Sequence, residues 1–385
     1  MLTENANELT EKKKHLRELG KKLSASYANA DANKNKLATI SLTQLYDECY
    51  ESHPPIIENF LYPGTYIFAG ASKIGKSFLA AQIAFHVANG FDYWEQKTTQ
   101  GTVLYVSLED TYQRLQKRMY QMFEDASSDK LFFCTDTKPL GDGLEEQIEN
   151  FITEHPDTNL IIIDTLQKIR GRESKKEQGT YANDYDTITK LKKISDKKGI
   201  CILLIHHTRK QKSKDPFDMI NGTNGIMGCA DGAMIFVKDE RGSNNAKLFI
   251  AGRDQPDTII EVTKNTDTLI WEAIIFDTEV WRTKPDPLFM ILAGRIKDNG
   301  GTWEGSATEL VSFLNAKLKP NSMTKKLNVN CDILKDCYGL IYRNIRNHDG
   351  RKITFESIPD FVPPWRIDAT QEPQEEEFCD GEEQE

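Results

Sequence analysis

The segment Gly70-Ala71-Ser72-Lys73-Ile74-Gly75-Lys76-Ser77 constrains this chain more than any other part of it, because it fits the spacing G-x-x-x-x-G-K-[ST]. Phosphate binding asks for each piece. Glycines let the backbone curl so that its N–H groups point inward at phosphate oxygens. Lys76 then reaches the β- and γ-phosphates, and Ser77 ligates Mg²⁺. A helix that begins at the loop turns its positive end toward the same anion. The flanks have the right order. Thr65-Tyr66-Ile67-Phe68 reads as a strand before the loop. Phe78 to Ala88 reads as a helix after it, with Leu79, Ile83 and Val87 stacked on one face. The pattern G-x-G-x-x-G is absent, which disfavours a dinucleotide-binding loop. ATP and Mg²⁺ are therefore the expected cofactors, with Gly70, Ala71, Ser72, Lys73, Ile74, Gly75, Lys76, Ser77 and Phe78 as the nucleotide-binding stretch.

The rest of the chemistry is sought at the ends of other strands. From Pro63, short β-branched runs alternate with amphipathic stretches, which predicts an α/β domain with a largely parallel sheet. Strands are read at 65–69, 102–107, 160–164, 201–206 and 233–237. Closely spaced runs at 246–252, 257–263 and 269–275 suggest an antiparallel extension. Asn159-Leu160-Ile161-Ile162-Ile163-Asp164 is a buried strand ending in an acid, so Asp164 is expected to hold Mg²⁺ together with Ser77. The alternative is a simple cap on the next helix. Hydrolysis also needs a carboxylate that positions water. Thr165, not Glu, follows Asp164, so the base is sought on the neighbouring strand. There Thr102 to Leu108 ends in Glu109-Asp110, with Glu109 as the base and Asp110 in reserve. The run Cys201 to Ile205 ends in His206-His207, and His206 is expected to sense the γ-phosphate.

Composition excludes several classes. No apolar run approaches the roughly 20 residues a bilayer-spanning helix needs. The Lys- and Glu-rich start lacks the apolar core of a signal peptide. Seven scattered cysteines without a C-x-x-C fit a reducing compartment. A cytoplasmic protein with no membrane partner is expected. The net charge is −10, but Gln371 to Glu385 carries eight acids and no Lys or Arg, which leaves −10 + 8 = −2 for the rest. A near-neutral body with basic clusters can still bind nucleic acid.

Four segments are expected: an N-terminal helical or linker segment at 1–55, the nucleotide-binding domain at 56–280, a smaller domain at 281–360, and an acidic tail at 361–385. Within 281–360, helices near Leu288–Asp298, Thr308–Leu314, Ser322–Leu327 and Cys331–Gly339 precede a hairpin around His348-Asp349-Gly350. That order suggests a winged helix-turn-helix. Its Lys317, Lys319, Lys325, Lys326, Arg343, Arg346, Arg351 and Lys352 suit duplex binding or partner docking.

Taken together, PPIIENFLYPGTYIFAGASKIGKSFLA, GTVLYVSLEDTYQRLQKRM, NLIIIDTLQKIR, CILLIHHTRK, DPFDMINGTNGIMGCADGAMIF and AGRDQPD, in this order over residues 54 to about 260, resemble the RecA-fold ATPases of the RepA type. These are relatives of plasmid-encoded hexameric replicative helicases. The resemblance implies a RecA-like core that assembles into a homo-oligomeric ring, a hexamer, with ATP sites between subunits. It places Arg253 where related helicases put an arginine that enters the neighbour's site; Arg209 and Arg241 are the alternatives. It also turns two basic loops toward the ring channel. One carries Arg170, Arg172, Lys175 and Lys176, and the other Arg209, Lys210 and Lys212. Mobile basic loops suit a single-stranded DNA backbone without sequence readout.

The resulting expectation is a Mg-ATP-hydrolysing motor on single-stranded DNA, a replicative helicase of a plasmid, phage or integrated element. Other replication proteins would dock through the C-terminal domain or tail. The rivals are a DNA-binding loader without unwinding and a nucleotide switch acting on protein partners.

Overall fold

The computed structural model describes residues 37, 39–50, 53–170, 180–208, 215–220, 224–238, 240, 242–253, 255–278, 285–347 and 350–363. The chain forms two compact units. One is Ser52–Lys284; the other joins the N-terminal segment to Pro285–Glu385. The first described helix, α1 (Leu42–Asp47), therefore packs with the C-terminal unit rather than standing apart as the start of a linker. Among the described residues, no helix is long and apolar enough to cross a membrane.

The larger unit is built on a nine-stranded sheet of order β3-β2-β4-β5-β1-β6-β7-β8-β9. Its strands are β1 (Gly64–Gly70), β2 (Thr102–Ser107), β3 (Leu131–Cys134), β4 (Thr158–Asp164), β5 (Cys201–His207), β6 (Gly232–Val237), β7 (Asn245–Gly252), β8 (Thr258–Lys264) and β9 (Trp271–Thr278). The first six are parallel, and β7 to β9 extend the sheet antiparallel. This is the expected RecA-like α/β core, with β5 inserted between the phosphate-loop strand β1 and the acid-bearing strand β4. Strand β3 was not among the expected strands. It is a short, half-buried edge strand, so it lacks the continuous apolar run that marks its neighbours.

Both faces of the sheet are covered, so the central strands are apolar on both sides. Alternate residues of β1 divide between two cores. Tyr66 and Phe68 face one, with α2 (Lys76–Asn89), and Ile67 and Ala69 face the other. The second core also takes apolar residues of α4 (Leu144–Glu154) and α6 (Thr180–Lys198). Helix α3 (Tyr112–Phe123) follows β2, α5 (Leu166–Ile169) follows β4, and α7 (Asn224–Cys229) precedes β6.

The smaller unit runs α8 (Pro287–Asp298), β10 (Thr302–Gly305), α9 (Ala307–Leu314), α10 (Pro320–Val329), α11 (Cys331–Tyr338), β11 (Leu340–Asn347) and β12 (Gly350–Ser357). Its three strands are ordered β10-β12-β11 and are antiparallel. One core joins Phe289, Leu292 and Ile296 of α8 to Leu310, Met323, Leu327, Leu334 and the sheet residues Tyr342, Ile353 and Phe355. Strand β10 is the element the sequence hides, since four residues give alternation too little length.

Candidate active site

Parallel strands place their following loops along one edge, and four of them converge here. Gly70 at the end of β1 pairs with His207 of β5, Asp164 of β4 with Ile205 of β5, and Ser107 of β2 with Asp164. The loop after β1 curls as its glycines allow. Gly75 has φ +107°, and a Cβ there would meet Cζ2 of Trp271 at 2.9 Å. A Cβ on Gly70 would meet the Phe236 carbonyl at 2.7 Å. Both positions exclude a side chain, one by conformation and contact, the other by contact.

Lys76 is buried at the start of α2. Its ammonium donates to the carbonyls of Gly70 (2.8 Å) and Ala71 (2.9 Å) and stands 3.2 Å from Nδ1 of His207. Burial pulls the ammonium down to about 8, against the nearby carboxylates of Asp164 and Glu109, which hold it up. Ser77 Oγ donates to Oδ2 of Asp164 at 2.7 Å, and the buried Tyr105 hydroxyl donates to the same oxygen at 3.3 Å. Burial raises the Asp164 carboxyl, while these two hydrogen bonds and Lys76 hold it down. A hydroxyl and a carboxylate in contact form a hard oxygen pair, and Mg²⁺ takes few protein ligands besides phosphate oxygens and water. The donor set fits the expected ion, with Ser77 and Asp164 as its holders.

A cavity of about 550 Å³ opens beside the loop. Glu109 lines it and is exposed, whereas Asp110 does not line it. Asp110 instead accepts from Ser107 Oγ at 3.3 Å and pairs with Arg118 at 2.7 Å. A carboxylate so engaged makes a poor base, so the geometry separates the two acids that the sequence left as first choice and reserve.

The structure separates the two histidines. His207, not His206, lines the cavity, and its Nδ1 also stands 3.5 Å from Ser72 Oγ. Strand β5 continues through His207, so successive residues point to opposite faces and His206 is buried away from the loop. Burial and the adjacent Lys76 charge both lower His207 from the usual imidazole range.

Arg253 lies elsewhere. It follows Gly252, which pairs with Gly232, which pairs with Tyr66 of β1. Tyr66 is four residues from Gly70, roughly 13 Å at about 3.3 Å per residue. Arg253 therefore sits toward the opposite edge of the sheet from its own phosphate loop. It is half exposed there, donating to the Gly228 carbonyl at 2.9 Å and lying 3.9 Å from Asp231. Arg170 is described, half-buried, at the end of α5. Arg172, Lys175, Lys176, Arg209, Lys210, Lys212 and Arg241 lie outside the described residues.

Three cavity cations escaped the sequence reading. Arg118 and Lys264 stack on the ring of Phe78 at 5.1 and 4.3 Å, and Lys238 on Trp271 at 5.0 Å. Burial lowers both lysines, and Lys238 further lowers Lys264. The available signal was position: Lys238 just follows β6 and Lys264 ends β8, at the edge that carries the loop.

Residues 37–213, somewhat under half of the chain, match a family model described as an AAA domain. No curated protein matches the chain. Among solved structures, a KaiC-like protein from the hyperthermophilic archaeon Pyrococcus horikoshii OT3 is similar, with 14% identity and a TM-score of 0.43, over 59% of this chain and 99% of that one. The unit Ser52–Lys284 is a mostly parallel α/β sheet with the phosphate-loop pattern between β1 and α2.

Proposed function

We infer that the protein hydrolyses Mg-ATP and uses the cycle as a ring-forming motor on single-stranded DNA, in the cytoplasm, as a replicative helicase of a mobile element does. The observation that carries the hydrolytic part is the convergence of Lys76, Ser77, Asp164, Glu109 and His207 on one strand edge beside one cavity. The loop N–H groups and Lys76 hold the β- and γ-phosphates. Glu109 orients a water and takes its proton as the water oxygen bonds to the γ-phosphorus and the bond to the β-phosphate oxygen breaks. His207 reports the γ-phosphate state to β5. Mg²⁺ held by Ser77 and Asp164 supplies charge neutralisation of the phosphates when bound.

The ring rests on Arg253. At roughly 13 Å along the strand direction from its own loop, it suits a neighbour's site better than its own. Transition-state charge on a γ-phosphate calls for such a cation. DNA contact rests on the basic runs Lys168 to Lys176 and Arg209 to Lys214 and on the smaller unit, whose strand and helix order resembles a winged helix with one added helix.

The test is ATP hydrolysis with and without single-stranded DNA, together with sedimentation to count subunits. Stimulation by DNA in an assembled form supports the motor. Hydrolysis without stimulation supports a nucleotide switch, and DNA stimulation without strand displacement supports a loader.

A further inference from the structure

Four cations on the smaller unit are engaged by other groups, and their partners fall into two sets. Lys326 pairs with Asp286 at 2.6 Å and Lys352 with Glu304 at 2.5 Å, acids of the same C-terminal segment. The two others are taken by the N-terminal segment. Arg351 grips Asp47 with both ends of its fork, Nη1 to Oδ1 at 2.9 Å and Nη2 to Oδ2 at 2.6 Å. The ammonium of Lys325 lies 5.2 Å from the ring centre of Tyr46. Consecutive residues of one short segment thus cover a cation of α10 and a cation of β12.

That segment is held by polar contacts. Helix α1 buries none of its residues, and Leu42 and Leu45 remain exposed. A Ser41–Gln44 capping box starts it. Asn328 of α10 donates to the Tyr46 carbonyl at 2.9 Å and accepts from Cys49 Sγ at 3.4 Å. Cys331 Sγ donates to the Tyr50 carbonyl at 3.4 Å. Asn328 is itself fixed from behind by Tyr342 and Asn344 of β11. With little apolar burial to lose, the segment can lift without unfolding the core beneath it. Residues 41–50 contain Asp47 and Glu48 and no Lys or Arg. A carboxylate in a guanidinium fork makes the same paired hydrogen bonds that a phosphate would.

We propose that the face carrying Lys325 and Arg351 binds a duplex DNA backbone, and that residues 41–50 are a detachable acidic strap seated on it. The proposal deepens the DNA-binding part of the reading above and rests on it. The strap competes with phosphate for the same two cations, so it sets a threshold that a DNA ligand must exceed.

The test uses the full-length chain and a fluorescent duplex oligonucleotide, with anisotropy read at low and high salt. Asp47→Asn keeps the shape and removes the charge. An exposed ion pair of this kind is worth up to about 1 kcal/mol, so Asp47→Asn is expected to tighten binding about two- to fivefold at low salt. The gain should shrink as salt screens the competition. Arg351→Ala should weaken binding, and adding Asp47→Asn to it should give no further gain. Tyr46→Ala, which leaves the ion pair in place, serves as a second variant and should also tighten binding. Unchanged or weaker binding by both Asp47→Asn and Tyr46→Ala, in a chain that does bind duplex, overturns the strap. Unchanged binding by Arg351→Ala overturns the surface. A wild-type chain that binds the single-stranded but not the duplex oligonucleotide overturns both while leaving the motor reading intact; binding of neither strand form removes the motor reading as well.

Discussion

Gln82 offers a measurable link between the phosphate loop and the far edge of the sheet. It is buried in α2, one turn and a half beyond Lys76. Its amide bonds both backbone groups of Trp271, accepting from the N–H at 2.9 Å and donating to the carbonyl at 2.9 Å. Trp94 Nε1 donates to the same carbonyl at 2.9 Å. Gln82→Leu keeps the approximate volume and removes both bonds. The Trp271 carbonyl retains Trp94, so its loss is small, about 0.5 kcal/mol at the low end for a hydrogen bond. The Trp271 N–H is left buried without its partner, at a cost of about 1–3 kcal/mol. The expected destabilisation is therefore about 1.5–3.5 kcal/mol. For a unit of this size each kcal/mol lowers Tm by about 2–4 °C, so a fall of roughly 3–14 °C is expected. Urea unfolding followed by tryptophan fluorescence gives the free energy, and a thermal scan gives Tm. Trp94→Phe removes only one of two donors to the carbonyl and should cost less. Because Trp271 lies against Gly75, Gln82→Leu should also weaken binding of a fluorescent ATP analogue. A variant within about 0.5 kcal/mol of wild type, with unchanged nucleotide affinity, would refute the idea that Gln82 secures Trp271 beneath the loop.

Three further outcomes are expected. Glu109→Gln should keep nucleotide binding and lose hydrolysis by about 10²-fold or more, whereas Asp110→Asn should mainly lower stability by releasing Arg118; steady-state turnover beside a binding titration separates the two. His207→Ala should reduce turnover by more than His206→Ala, and the reverse ranking would restore the residue expected from sequence. Tyr105→Phe removes one of the two donors to Asp164 Oδ2 and should raise the Mg²⁺ concentration needed for half-maximal hydrolysis about two- to tenfold, the equivalent of roughly 0.5–1.5 kcal/mol for a hydrogen bond.

The loop, its strand and its helix were legible because each is local and each residue type is dictated by phosphate geometry. The acid at the end of β4 and the pair after β2 were legible for a related reason: buried parallel strands are continuous apolar runs, and the residues that follow them share an edge. The histidine expected from the sequence and the one lining the cavity differ by one position, and period-two alternation makes that a change of face rather than a small shift. A strand read at 201–206 leaves His206 at its end, at the mouth of the site; β5 runs one residue further, through His207. Helix α10 starts at Pro320, two residues before the Ser322 expected from the apolar pattern, and Pro in the first helical turn is itself a start signal. The contact of Trp271 with Gly75 had no sequence signal, because only the strand order brings β9 residues beside α2. The same holds for the joining of α1 to a unit nearly three hundred residues downstream.

The Trp271 contact also bears on how the site comes into being. The family match ends at residue 213, yet the indole that fills the space beneath the phosphate loop belongs to residue 271. Nearly two hundred residues separate Gly75 from that support. During synthesis the loop emerges early and its floor late, so the nucleotide site closes only when the antiparallel extension has joined the parallel sheet. Contacts of such long sequence separation form slowly. A fragment cut at the end of the family match would carry every residue of the phosphate-binding pattern and lack the piece that holds it in shape.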